Sequence, residues 1–170
     1  DWRKKLCADY IFEIIDSKGS YILPILIDNN YFASFYHFYY FSKFYNRQDV
    51  NPKLREKYNK FAYSLVLSTV DPKLRKKLKE TERNGYKSLQ EIQSIIASHG
   101  FAKDFFTQEE ETELVKKGLF AKFYQNNELQ EILQYTQNSM LITSTEKKDV
   151  YKIDYNLMKI RYLLRNYDIN

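Results

Sequence analysis

Apolar residues along the chain recur mainly three and four positions apart, and the gaps between these stripes hold capping and turn residues, a pattern that predicts helices throughout. The densest stretch is 31–46, YFASFYHFYYFSKFYN, where ten of the first fifteen residues are Phe or Tyr. Its aromatics come in clumps without two-residue alternation, and the run exceeds a usual strand, so it predicts one helix. On a helical wheel the early non-aromatic positions Ala33, Ser34 and His37 share one side and most of the circumference there is apolar, which requires other helices to surround it.

Upstream, Leu6, Tyr10, Ile11, Ile14 and Ile15 recur at helical spacing within 2–15, and Gly19 stands where such a helix would stop. A short apolar segment, 21–27, leads to Asp28-Asn29-Asn30, a polar triplet suited to capping the aromatic helix. Asn51-Pro52 and Asp71-Pro72 each put a capping side chain before a proline at the first helical position. They predict helices to about 67, with Leu54, Tyr58, Phe61 and Leu65 inward, and to about 82, with Leu74 and Leu78 inward. Ser88-x-x-Glu91 and Thr107-x-x-Glu110 are capping boxes heading two more helices, one with Leu89, Ile92, Ile95 and Ile96, the other with Leu114 and Val115. Asn84-Gly85 and His99-Gly100 mark the breaks between. Residues 119–133 read as a kinked helical pair, and after a polar stretch Val150, Ile153, Leu157, Ile160 and Leu164 stripe a last helix.

Composition agrees with an all-α class: 170 residues hold only 4 Gly and 3 Pro against 16 Tyr and 12 Phe. Cys7 is the single cysteine, which excludes an internal disulfide, suits a reducing intracellular compartment, and reads as a packed residue. The longest apolar run, 21–27, is too short to span a membrane, so the expected setting is the cytoplasm or the cytoplasmic face of one. The chain opens on Asp1, which reads as the start of a piece of a longer protein. Its net charge of +5 concentrates in KLREKYNK and KLRKKLKE. Lys73, Lys76, Lys77 and Lys79 read either as a solvated helix face or as a basic face for phospholipid headgroups or an acidic partner.

Catalytic signatures are missing: there is no glycine-rich phosphate loop, no nucleophile elbow and no pair of histidines at ligand spacing, so no enzyme, cofactor or small-molecule substrate is expected. His37 reads as a hydrogen-bonded interior histidine and His99 as a helix-end residue. The run Glu109-Glu110-Glu111 suits the dipole of a first helical turn better than a metal. No nucleic-acid motif accompanies the tyrosines, and nucleic acid is not an expected partner.

Taken in order, several short motifs resemble the regulator of G-protein signalling (RGS) domain. Ile11-Phe12-Glu13-Ile14-Ile15 with Gly19 is similar to the family's opening motif, Ile25 to Asn30 to its next, and Phe38-Tyr39 with Tyr45 to the aromatic pair that follows. Ser68-Thr69-Val70-Asp71 with Arg75, and then Phe120-Ala121-Lys122-Phe123-Tyr124, resemble the later motifs, the last being the best match. The resemblance implies a terminal helical subdomain packed on an antiparallel four-helix bundle over 1–137, with 138–170 an extension whose one helix packs on it. It also implies binding of a heterotrimeric G-protein α subunit, whose own GTP hydrolysis such domains speed by holding its switch loops.

The positions that correspond to the family's partner contacts are Ser34, Phe35, Thr81, Leu114, Gly118, Leu119 and Lys122. Ala33-Ser34-Phe35 replaces a stretch carrying a hydrogen-bonding asparagine, and Gly118 and Leu119 replace an aspartate and a serine. Leaving polar partner groups unpaired costs roughly 1–3 kcal/mol each. The alternative implied is an RGS-homology scaffold module without GTPase activation, with anionic-membrane contact through its basic face.

Overall fold

The computed structural model describes residues 2–17, 19–79, 85–101, 106–144 and 151–167. Helix α1 (Trp2–Leu6) is followed by two hairpins, β1 (Glu13–Asp16) with β2 (Gly19–Ile22) and β3 (Ile25–Ile27) with β4 (Asn30–Phe32). Then come α2 (Phe35–Phe44), α3 (Pro52–Tyr63), α4 (Pro72–Arg75), α5 (Leu89–Ser98), α6 (Gln108–Tyr124) and α7 (Asn127–Tyr135). A third hairpin, β5 (Ile142–Ser144) with β6 (Tyr151–Ile153), precedes α8 (Tyr155–Tyr167). The chain is mostly helical.

Helix α2 is the aromatic run, and it divides the interior. Phe38, Phe41 and Phe44 pack with Phe32, with Tyr58, Phe61 and Leu65 at α3, with Ile92 and Ile96 of α5, and with Phe101. Phe44 alone meets the rings of Tyr58, Phe61 and Phe101 at 5.1–5.5 Å, edge-on or tilted. On the other side Phe35 joins Leu119 and Phe123 of α6, Leu129 and Leu133 of α7, and Leu157, Ile160 and Leu164 of α8. The helix is thus sheathed, as its composition requires, although Tyr36, Tyr39 and Tyr40 are only half-buried.

The starts of the helices follow the sequence. Asn51 accepts from the Leu54 N–H at 2.9 Å ahead of Pro52, and both capping boxes close. The pair predicted over 119–133 is the end of α6 and most of α7, parted at Gln125-Asn126, with Asn126 capping the second. His99 ends α5, and Gly100 takes the left-handed turn after it (φ +61°).

The all-α expectation is corrected by the hairpins. The opening helix stops at Leu6, and Ile14 and Ile15 belong to β1: side-by-side β-branched residues suit a pleated strand, and Gly19 pairs with Asp16 rather than ending a helix. Asp28-Asn29 is not a cap. Both residues have positive φ (48° and 63°) and form the two-residue turn between β3 and β4, a conformation that suits right-handed strand twist and that Asp and Asn tolerate. Helix α4 covers only one turn, and Leu74, expected inward, is exposed. The last helix starts at Tyr155, capped by Asp154, so Ile153 lies in a strand and Val150 falls outside the described residues. Cys7, expected to pack, is exposed.

Helix α6 touches most of this framework. Its buried stripe of Gly118, Leu119, Lys122 and Phe123 faces α2, α7 and α8, and its close approach to α2 depends on Gly118. A Cβ there would stand 2.7 Å from ring carbons of both Phe35 and Phe38. The α8 side is fixed by buried Arg161, which donates to Thr136 Oγ1 (2.6 Å) and the Ser139 carbonyl (3.0 Å).

Candidate functional site

Most of the partner-contact positions expected from sequence lie together, but inside. Ser34, Phe35, Leu119 and Lys122 are 2–5 % exposed and Gly118 is buried against α2, so no partner reaches them without opening the core. Leu114 is half-buried, and Thr81 lies outside the described residues. Lys73, Lys76, Lys77 and Lys79 are exposed, on α4 and the turn after it rather than along a long helix.

Two of these interior groups are polar for a structural reason. Ser34 heads α2, yet its hydroxyl does not cap the helix; Oγ and His37 Nδ1 share a 2.9 Å hydrogen bond. Among the described residues, buried His37 Nε2 meets no partner at full hydrogen-bond geometry. Burial lowers the His37 pKa from 6.5 to about 4, only partly offset by the backbone at Lys87, so the imidazole is neutral at pH 7. The Lys122 ammonium donates to the Cys7 carbonyl and sits 5.2 Å from the Phe123 ring centroid. Burial lowers its pKa from 10.5 to about 8.

The acidic start of α6 is occupied within the fold. Glu110 completes the capping box, while Glu111 accepts from the Tyr39 hydroxyl and pairs with Lys43 at 3.3 Å. Among the described residues no group of three His, Cys, Asp or Glu side chains comes together as a metal site. No helix among them is long and apolar enough to cross a membrane.

What remains open on α6 is a second stripe. Glu110, Glu113, Leu114, Lys117, Ala121 and Tyr124 recur three and four apart and, with Phe106, Phe120 and the β3–β4 hairpin, line a solvent-open groove of about 780 Å³. Two contacts hold the hairpin against the helix beside it. Lys117 pairs with Asp28 at 2.6 Å, and the Gln125 amide both accepts from the Leu26 N–H and donates to the Leu26 carbonyl, each at 2.8 Å. Leu26 and Tyr124 are 41 % and 44 % exposed, more than interior residues of these types would be. Tyr124 stacks on Phe120 (5.4 Å) and meets Tyr167 edge-on (5.1 Å), closing the groove's far end with rings.

Of the positions expected from sequence, only Leu114 lines this groove. The others were legible only as a surplus: the second half of α6 carries apolar residues around most of its circumference, more than one packing face requires. No family model, curated protein or solved structure matches the chain.

Proposed function

We propose that the chain is a helical protein-interaction module of a larger signalling or scaffold protein, of the RGS-homology kind that holds a partner without accelerating GTP hydrolysis. The observation that carries this reading is the burial of Ser34, Phe35, Gly118, Leu119 and Lys122. Acceleration of the RGS type needs hydrogen-bonding side chains presented to the switch loops of an α subunit, and at these positions the side chains are interior. The groove between α6 and the β3–β4 hairpin supplies the partner surface instead. Single-turnover GTP hydrolysis by purified α subunits is expected to run at the same rate with and without the chain, and acceleration removes the reading. Affinity capture is expected to recover a protein with the wild-type chain and lose it with Leu26→Asp; equal recovery, or none, counts against the module.

A second contact is favoured by the exposure of Lys73, Lys76, Lys77 and Lys79 beside exposed Lys53, Lys57 and Lys60 of α3. In an intracellular setting this face meets anionic headgroups, each cation near such a surface adding about 1 kcal/mol.

A further inference from the structure

We infer that the groove receives a single amphipathic helix of the partner, apolar stripe down, with a cation over Glu113 and a carboxylate beside Lys116. The inference rests on the protein-interaction reading and specifies the form of the partner.

Three features select a helix. From Glu110 to Tyr124 the open stripe covers roughly 21 Å at about 1.5 Å per residue, the length of about four helical turns. An extended peptide would bind by adding to the outer edge of β3, since main-chain pairing is what holds such ligands. That edge is taken: Leu26 N–H and C=O point away from β4 and are both satisfied by Gln125. A helix satisfies its own main chain and needs only side-chain contact, with Leu26, Ala121 and Tyr124 as the apolar floor.

Charge sets the direction in which it lies. The groove runs from the Glu113 carboxylate, through Lys116 and the Lys117–Asp28 pair, to an uncharged end at Ala121 and Tyr124. The internal pair of Lys116 with Glu113 is long, at 3.5 Å, with 38 % and 68 % of the two side-chain surfaces exposed. An exposed pair of this kind contributes little stability, so little is lost when a partner's charges replace it. A small apolar ligand would leave the charged half of the groove uncovered, whereas a helix with basic, acidic and apolar positions in that order covers all of it.

The test is a random 16-residue peptide library displayed on phage and panned on the whole chain, with Leu26→Asp as counter-selection. Enriched sequences are expected to place apolar residues three and four apart, with Lys or Arg at one end and Asp or Glu one to two turns along. The corresponding synthetic peptide gains helical circular dichroism on binding. Glu113→Lys, at an exposed position that leaves the fold intact, weakens it at least tenfold, and replacing the peptide's cation by Glu restores binding. Enrichment of sequences with apolar residues two apart, equal binding to Leu26→Asp, indifference to Glu113→Lys, or no enrichment overturns the helix. So does self-association of the chain through the groove. If affinity capture still loses its protein with Leu26→Asp while the peptides fail, the module stands and only the helical form of its partner falls.

Discussion

Gly118→Ala puts two opposed effects on one methyl group. In a helix interior alanine is better than glycine by about 1 kcal/mol, because glycine loses more backbone freedom on folding. Against this, the new Cβ would stand 2.7 Å from Phe35 Cδ2 and 2.7 Å from Phe38 Cδ1. Carbon–carbon contacts are comfortable at roughly 3.5–4 Å, so both rings must retreat by about 1 Å. Neither has room, being 4 % and 2 % exposed and packed in the two separate clusters that α2 divides. Overpacking of a tight core costs typically about 1–3 kcal/mol, and two rings blocked at once place this site near the upper end. The net is destabilisation by about 2 kcal/mol, a fall of about 4–8 °C in Tm for a chain of this length. Urea unfolding followed by circular dichroism measures it, and Phe35→Leu in the same chain is expected to return part of the loss by making space. A variant more stable than wild type would mean that propensity outweighs contact and that α2 and α6 do not approach this closely.

Three further expectations concern charge. His37 has its folded pKa near 4 against 6.5 unfolded, so as pH falls through this window the unfolded chain takes up the proton and the folded chain does not; stability drops by up to about 3 kcal/mol. His37→Phe is expected to flatten that dependence relative to wild type, and parallel stability–pH curves would refute the buried neutral imidazole. Lys122 runs the other way on the scale: with the folded pKa near 8 and 10.5 unfolded, the folded chain releases its proton first, and wild type gains up to about 3 kcal/mol on Lys122→Met between pH 8 and 10.5. A constant difference between the two chains across that range contradicts it. Replacing Lys73, Lys76, Lys77 and Lys79 by Gln is expected to leave thermal stability within about 1 kcal/mol and to reduce sedimentation with phosphatidylserine vesicles at least tenfold at low salt. Vesicle binding that ignores salt or these substitutions removes the membrane contact.

Apart from the aromatic α2, read from composition, the helix starts most legible from sequence were those whose ends carry their own chemistry. Asn51-Pro52 and the boxes at Ser88 and Thr107 satisfy N–H groups locally, so no distant residue is needed to place those starts. The hairpins failed for the opposite reason. Leu6, Tyr10, Ile11, Ile14 and Ile15 fit a helical wheel as a list, but Ile15 is 81 % exposed and Ile14 lies across from Tyr21, a pairing that exists only once both strands are present. Asp28-Asn29 misled because the same short polar side chains cap helices and tolerate left-handed turns. Only the partner strand decides between the two.

The groove was hidden by a related ambiguity. Helix α6 must meet α2 through Gly118, α7 and α8 through Leu119 and Phe123, and the hairpin through Gln125, so its apolar residues cannot be sorted by spacing into covered and open. The resemblance-based positions Gly118, Leu119 and Lys122 fell on the covered side because they share the buried stripe of Phe123 that packs the helix. Any surface left for a partner must then be the stripe those residues do not use. That stripe stays open because Lys117 and Gln125 reach across to Asp28 and Leu26 and hold the hairpin beside the helix rather than over it.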